Sequence, residues 1–438
     1  MEWWLLLIII FAGAMALLAI GMPVAFAFIL VNIVGVIVFQ GGGTAFNTAI
    51  VSMYSTAASF TLLPIPLFIL MGEILWQTKI ASIALDAIDK LLGRVPGRLS
   101  VMTVVSGAGF AALSGSSMAN TALLGTMLLP EMDKRGYDRK MSIGTIMASG
   151  SLAMIIPPSA LAVILATIAQ ISIGKMLVAS IVPGLLLAFL FFLYVIGRSA
   201  LDPSIAPPYD VSKSSARDKL LALARLLPLS VIVFLVSGVI VVGVATPTEA
   251  AALGCLGSFV LAIFYGGLSR QVVVKAVWGT AQITVMVFII LVAATGFSQL
   301  LAFSGASRGL VESVTNLDIA PIWIIVAMLL IVFLLGTFME EVSILLITLP
   351  LYMPIVKALG FDPVWFGVLM LINTQVALIS PPFGMILFVM KGIAPKGTTM
   401  NDVFNAAYPF MACQGVAIFG VLLVPDIAMG LVKLAFAK

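Results

Sequence analysis

The chain has 438 residues and a formal net charge of +4; 62% of its residues are hydrophobic, 9% are charged and none is histidine. Because about a quarter of the residues in soluble domains are charged, this composition excludes an ordinary soluble protein and indicates an all-α polytopic membrane protein. It also excludes a Ser-His-Asp triad, a histidine metal site and a histidine proton relay.

Ten apolar stretches are typical of membrane-spanning helices. In chain order they lie near residues 5–20, 24–39, 61–78, 141–168, 176–196, 226–243, 249–266, 278–302, 364–391 and 403–425. Two further stretches, 101–130 and 321–354, are apolar but interrupted by polar residues. We interpret both as re-entrant helical hairpins, which enter and leave the membrane on the same side.

The distribution of Lys and Arg predicts the orientation of the chain in the membrane. With the two hairpins in place, 17 of the 22 basic residues fall in loops on one side. These loops are 79–98, 131–140, 197–225, 267–277 and 391–402. Basic loops stay in the cytoplasm, so we expect both termini of the chain on the periplasmic side.

An internal repeat has a constant offset of 224 residues. Pro157-Pro158 is matched by Pro381-Pro382, and Gly136-Tyr137-Asp138 by Gly360-Phe361-Asp362. The predicted spans 141–168 and 364–391 run in opposite directions, which indicates an inverted repeat, a recurrent plan of secondary transporters. The chain is thus predicted to divide into a first repeat (1–196), a cytoplasmic connector (197–225) and a second repeat (226–438).

Each half contains two polar breaks at membrane depth. They are "SGSSMAN" (114–120) and "MIIPPSA" (154–160) in the first half, and "GTFMEEVS" (336–343) and "ALISPPF" (377–383) in the second. Paired prolines break a helix, and Ser380 is a candidate cap for a helix restarting at Pro381. Lipid cannot satisfy the freed backbone groups, so they must face protein, water or an ion.

The composition of these breaks suits a small cation and an anion. Carbonyl and hydroxyl oxygens suit Na⁺, and the N-terminal ends of half-helices suit an anionic group. Glu340 and Glu341 match Ser116 and Ser117 in the repeat. A carboxylate at the bilayer centre costs roughly 2.5–3.5 kcal/mol, so two adjacent ones indicate a wet or cation-bearing turn. Glu73, alone in its span, fits a structural ion pair or hydrogen bond.

Four segments of the chain resemble the large membrane subunit of the tripartite ATP-independent periplasmic (TRAP) transporters. They are "SGSSMANTALLGTMLLPEM", "MIIPPSALAVILA", "GTFMEEVSILLITLPLYMPIV" and "ALISPPFGMILFVMKGIAP". The resemblance implies Na⁺-coupled uptake of an organic anion, a carboxylate or sulfonate, across the bacterial inner membrane. It also implies a periplasmic substrate-binding protein, a small membrane subunit of about four helices, and an elevator mechanism with a scaffold and a mobile transport domain.

The same resemblance implies particular site residues. The first Na⁺ site would use Ser114, Ser117, Gly150, Ile155 and Pro157, and the second Gly336, Thr337, Thr374, Ala377 and Ser380. Substrate would lie near Ser116, Asn120, Pro158 and Glu340.

The residues alone leave two alternatives open. One is a single-component Na⁺- or H⁺-coupled carboxylate transporter, and the other is a channel lined by the four breaks. An enzyme is disfavoured because no nucleophile–base pair or metal-ligand set is evident, and no G-x-x-x-x-G-K-[ST] loop for ATP is present. The small net charge does not indicate a nucleic-acid partner.

Overall fold

The computed structural model describes residues 2–40, 43–78, 80–208, 215–265 and 267–436, and within these ranges the fold is helical without strands. The α-helices are α1 (Trp3–Ala19), α2 (Val24–Gln40), α3 (Thr44–Ala57), α4 (Pro64–Gln77), α5 (Ile80–Leu91), α6 (Arg98–Ser114), α7 (Ser117–Lys134), α8 (Arg139–Ser151), α9 (Ala160–Ile168), α10 (Ile173–Leu201), α11 (Ala216–Val233), α12 (Val239–Val242), α13 (Pro247–Phe264), α14 (Arg270–Phe303), α15 (Ala306–Thr315), α16 (Pro321–Gly336), α17 (Glu341–Ala358), α18 (Pro363–Leu378), α19 (Met385–Ile393), α20 (Met400–Leu423) and α21 (Asp426–Ala435).

Seven helical segments in the described ranges are long and apolar enough to cross a membrane. They are Phe60–Gln77, Ile173–Leu201, Arg217–Val242, Pro247–Phe264, Arg270–Phe303, Glu341–Ala358 and Met400–Leu423. A π-helical segment, Phe234–Gly238, lies between α11 and α12 and makes them one continuous apolar segment. The polytopic helical membrane class predicted from composition is confirmed.

Both interrupted apolar stretches are two helices joined by a short turn. In the first, α6 ends at Ser114, Gly115 adopts the left-handed conformation with φ +58°, and α7 begins at Ser117. In the second, α16 ends at Gly336 and α17 begins at Glu341. The helices of each pair pack on one another. We call residues 114–120 the first tip and residues 336–343 the second tip.

Each paired proline separates two shorter helices. In the first half, a 3₁₀ turn (Leu152–Met154) and the Pro157-Pro158 pair separate α8 from α9, whose N-cap is Ser159. In the second half, the Pro381-Pro382 pair separates α18 from α19. The expectation that Ser380 caps a helix at Pro381 is wrong. The helix restarts at Met385, and the hydroxyl of Ser380 instead donates to the carbonyl of Pro381 at 3.2 Å.

Helix bounds recur at the 224-residue offset, with one difference. Helix α7 corresponds residue for residue to α17, and α2, α6, α8, α9 and α10 correspond closely to α13, α16, α18, α19 and α20. The single helix α14 corresponds to two helices, α3 and α4, in the first half. Helix α3 was not among the predicted spans because Asn47, Thr48, Ser52, Ser55 and Thr56 interrupt its apolar pattern.

The broken helices lie at the centre of the molecule. Every residue of α8 from Met141 to Ser151, and of α18 from Val364 to Leu378, is buried. By contrast, many large apolar side chains of α2, α11 and α13 are exposed, as suits helices that face lipid. This arrangement places both tips and both breaks against buried helices.

Candidate functional site

A cavity of about 330 Å³ lies between the two tips. Three of the four predicted substrate residues, Ser116, Pro158 and Glu340, line it. The other lining residues come from both tips, the first break, α9, α4 and α14: Phe68, Ile69, Met71, Gly72, Glu73, Trp76, Gly115, Met118, Ala119, Met154, Ala160, Leu161, Ile164, Ile283, Met286, Val287, Glu341 and Val342. The structure therefore brings together residues that are far apart in sequence.

The two tips begin their second helices in the same way. The hydroxyl of Ser116, the N-cap of α7, accepts the backbone N–H of Ala119 at 3.3 Å. The carboxylate of Glu340, the N-cap of α17, accepts the backbone N–H and the hydroxyl of Ser343, both at 3.1 Å. A neutral cap and an anionic cap thus occupy equivalent positions of the repeat.

Asn120 is not among the residues that line this cavity in the described part of the chain. Its side-chain amide is buried and donates to the carbonyls of Gly107 and Ser149, at 3.2 and 3.3 Å. These bonds join α7 to α6 and to α8. In this structure the side chain of Asn120 therefore holds α7 against α6 and α8.

A buried chain of hydrogen bonds links the two tips. The hydroxyl of Ser117 donates to Oε1 of Gln375 at 2.7 Å, and Nε2 of Gln375 donates to Oε2 of Glu341 at 3.0 Å. The three residues are 1%, 0% and 4% exposed, respectively. In this orientation of the Gln375 amide, its nitrogen donates to Glu341 and its oxygen accepts from Ser117. The Ser117 proton then points to Gln375, which leaves the lone pairs of its oxygen for another partner.

The remaining residues predicted for the first Na⁺ site surround the tip unevenly. Gly150 lies directly under α7, where an added β-carbon would be 2.9 Å from Cβ of Thr121. The backbone N–H of buried Ile155 donates to the carbonyl of Leu152 at 3.1 Å, and the carbonyl of Pro157 accepts the hydroxyl of Ser237 at 3.3 Å. The side chain of Ser114 lies outside the part of the chain that the structure describes.

The residues predicted for the second Na⁺ site meet where α16 and α18 end. Gly336 lies so close to the side chain of Ala377 that a larger residue would collide with it. The hydroxyls of Thr337 and Thr374 donate to carbonyls of their own helices, Leu334 at 2.7 Å and Leu371 at 2.9 Å. Their lone pairs stay free, and Thr337, Thr374 and Ser380 are all buried. Uncharged oxygens of this kind are hard ligands that fit a monovalent cation such as Na⁺.

The sequence prediction missed two residues at the site. Glu73 of α4 lines the cavity, and its carboxylate lies against Gly279 of α14, where an added β-carbon would be 3.1–3.3 Å from the carboxyl group. The side chain of Gln77, one turn further along α4, is its hydrogen-bonding neighbour. Gln375 was missed because nothing in the sequence marks it as a site residue except that it is a polar side chain within an apolar helix. Only its position between Ser117 and Glu341 shows that it links the two tips.

Known proteins with similar sequences or folds include transporters and transporter subunits. Residues 11–427 match the family described as the tripartite ATP-independent periplasmic transporter, DctM component. The C4-dicarboxylate TRAP transporter large permease protein DctM of Rhodobacter capsulatus is 30% identical, over 98% of this chain and 99% of the relative. The ectoine TRAP transporter large permease protein TeaC of Halomonas elongata is 28% identical, over 98% of this chain and 99% of the relative. Among solved structures, the Alcanivorax borkumensis YdaH transporter has a similar fold, with a TM-score of 0.65, 14% identity and 88% of each chain covered.

Proposed function

Because the chain belongs to the DctM component family of tripartite ATP-independent periplasmic transporters, we propose that it imports an organic acid together with Na⁺ by an elevator movement. Large permeases of this family work with a small membrane subunit and a substrate-binding protein. Relatives are named for C4-dicarboxylates and for ectoine. The substrate of this chain is therefore a small organic acid received from a periplasmic binding protein.

The cavity between the tips is the observation that carries this proposal. It is lined by both tips and by the first proline break, and it has the small volume that suits a metabolite. The N-terminal end of α7, with its neutral cap, supplies unpaired backbone N–H groups and a positive partial charge. A carboxylate or sulfonate of the substrate binds at this end, beside Gly115 and Ser116.

Two groups of oxygens at the tips and the broken helices support Na⁺ coupling. The first is built around Ser117 and the backbone near Gly150, Ile155 and Pro157, and the second around Thr337 and Thr374 with the carbonyls of Gly336 and Ala377. Binding of Na⁺ there fixes both tips against the broken helices. The electrochemical gradient of Na⁺ then drives uptake, without ATP.

The inverted repeat supplies the moving parts. The tips and broken helices form the transport domain, and the exposed apolar helices form a scaffold that holds the small subunit in the lipid bilayer. The repeats are 1–196 and 226–438, the connector 197–225 is cytoplasmic, and both termini are periplasmic. The two interrupted stretches are re-entrant in the membrane.

Uptake by the complete system tests this proposal. The large and small subunits are reconstituted in liposomes, the binding protein is added outside, and accumulation of labelled organic acids is followed with an inward Na⁺ gradient. We expect uptake to require both Na⁺ and the binding protein. Uptake that persists unchanged in Na⁺-free, K⁺-matched buffer would exclude Na⁺ coupling. Uptake without the binding protein would indicate a single-component transporter, and uptake without saturation or counterflow would indicate a channel.

A further inference from the structure

The charges around the cavity are distributed very unevenly. Glu340 and Glu341 lie on the second tip, and Glu73 of α4 lines the same cavity. No Lys or Arg occurs among the lining residues in the described part of the chain, and the whole sequence lacks histidine. Among the described residues, the lining of the cavity thus supplies three carboxyl groups and no cationic side chain.

The helix ends at the two tips differ in the same sense. The N-terminal end of α17 already has a carboxylate, because Glu340 accepts two hydrogen bonds from Ser343 and Glu341 follows in the first turn. The N-terminal end of α7 has the neutral cap Ser116 and no acidic residue in its first turn. Of the two tips, only the first therefore offers the partial positive charge of a helix start to a ligand, and the neutral-capped start of α9, which also lines the cavity, belongs to the same half of the chain.

A substrate with two negative groups fits this cavity poorly. If one carboxylate binds at the start of α7, the other end of the molecule lies towards Glu73, Glu340 and Glu341. Like charges repel strongly in a site of low dielectric constant, so the second negative group of such a substrate would be repelled by the acidic residues. A positive group at that end would instead be attracted by the acidic side of the cavity and could donate hydrogen bonds to its carboxyl groups.

We propose that the substrate is zwitterionic, with a carboxylate or sulfonate at Gly115 and Ser116 and a cationic nitrogen group facing the glutamates. This inference rests on the proposed function of the cavity. The aromatic ring of Trp76, which also lines the cavity, favours the same cationic group. Small amino acids, betaines and cyclic amidinium acids have the required chemistry.

Ligand binding to the large–small subunit complex in Na⁺ buffer tests the inference. The probes are matched pairs in which one carboxylate is replaced by an ammonium group: β-alanine against succinate and γ-aminobutyrate against glutarate, extended with α-amino acids, betaines and other diacids. Binding is measured from the thermal stabilisation of the complex and from titration calorimetry. We expect at least one zwitterion to bind roughly tenfold or more tightly than its matched dianion.

Substitutions connect this preference to the three carboxylates. Glu340→Gln and Glu73→Gln should each weaken zwitterion binding by roughly tenfold and reduce the discrimination against the dianion. Glu341→Gln retains a hydrogen-bonding group beside Gln375 and should act in the same direction. Glu312→Gln, a change at an exposed residue of α15 that does not line the cavity, is the matched control and should change neither affinity.

The outcomes separate the inference from the function on which it rests. Na⁺-dependent binding that favours dianions, in the wild type and in the variants, overturns the zwitterion and leaves the Na⁺-coupled transporter in place. A zwitterion preference that is unchanged in all three glutamate variants also overturns it, because the carboxylates then do not select the substrate. If neither Na⁺ nor any probe stabilises the complex, the proposed function is overturned and the inference with it.

Discussion

The two predicted cation sites are built differently, although the repeat gives them equivalent helices. The site at the first tip depends on other elements: Ser117 is oriented through Gln375 of α18 and Glu341 of the second tip, and the carbonyl of Pro157 accepts Ser237. At the second tip, by contrast, the hydroxyls of Thr337 and Thr374 each donate to a carbonyl of their own helix. A duplicated fold therefore does not impose the same dependence on neighbours, and each site can be perturbed separately.

The largest expected effect concerns the orientation of the two halves. Single cysteines at Lys134 and Lys357 are placed in a background that lacks Cys255 and Cys413, the two native cysteines. In an inverted repeat these positions lie on opposite sides of the membrane, so an impermeant thiol reagent added outside intact cells should label position 357 and not position 134. Labelling of both from the same side would mean that the halves are not inverted, and the comparison of the two sites would lose its basis.

The next effect concerns the tight helix contacts at both sites. Gly150→Val forces a side chain against Thr121, and Gly336→Val forces one against Ala377. Such overpacking costs roughly 1–3 kcal/mol, so the thermal unfolding temperature should fall in both variants and transport should be lost. Gly109→Val is the control, because nothing lies within 4 Å of an added β-carbon there. Wild-type stability in both variants would show that neither contact is close.

Loss of Gln375 should affect the predicted cation site at the first tip, because only that site includes Ser117, the residue to which Gln375 is hydrogen-bonded. Gln375→Leu leaves the Ser117 hydroxyl and the Glu341 carboxylate buried without this partner, which costs about 1–3 kcal/mol for each group. The Na⁺ concentration for half-maximal uptake should rise roughly tenfold or more. The control is Gln299→Leu, a half-buried glutamine on α14 that does not line the cavity between the tips.

The pH dependence of uptake gives a sharper test of the hydrogen bonds that link Ser117, Gln375 and Glu341. In Gln375→Glu, a proton must be held between two carboxylates for the chain to form, so uptake should be retained at low pH and fall as the pH rises. The wild type needs no such extra proton, so its uptake should not fall over the same pH range. Parallel pH profiles for Gln375→Glu and the wild type would refute a link between the tips that works by hydrogen bonding.

Single hydroxyl deletions give the smallest expected effect. Ser117→Ala removes one ligand and also leaves Oε1 of Gln375 without its donor, whereas Thr374→Val removes a hydroxyl that bonds only within its helix. Loss of one such group is worth about 1–2 kcal/mol, so half-saturation by Na⁺ should rise several-fold, and further for Ser117→Ala.

Matched controls keep this comparison specific. Ser230→Ala and Thr126→Val each remove an exposed hydroxyl that bonds to a carbonyl of its own helix. Neither should change the dependence of uptake on Na⁺. Equal effects of Ser117→Ala and Ser230→Ala would identify Ser117 as an ordinary helix-bonded serine.

The sequence predicted those parts of the fold that depend on local chemistry. The membrane class follows from composition, and the two tips and two proline breaks follow from Gly, Pro and polar residues within apolar runs. Ser116, Pro158 and Glu340 reach one cavity because each stands at a break in a helix. Helix α3 escaped prediction because its polar residues lower its apolar character without producing a helix-breaking signal.

Residues within regular helices were harder to assign. The motif around Asn120 resembled that of a substrate site, but the direction of its side chain depends on how closely α7 packs on Gly107 and Ser149. Gln375 lies one residue from Thr374, and only the packing of three helices shows that it faces both tips. The surroundings of Glu73 could not be predicted without knowing where α14 packs, because its carboxyl group lies against Gly279 of that helix. Tertiary packing, which no single-sequence pattern encodes, decided all three.

Helix α14 determines where the cavity lies relative to membrane voltage. Its 34 residues make a rod of about 51 Å, longer than the roughly 30 Å hydrocarbon core, so it must tilt or project into water. Met286 and Val287, halfway along this rod, line the cavity. If the midpoint of α14 lies at mid-bilayer, a charge that reaches the cavity from either face crosses about half of the membrane field, worth roughly 1.1 kcal/mol per charge at 100 mV. Binding of Na⁺ from the periplasm should be strengthened by a negative interior potential before the protein moves at all.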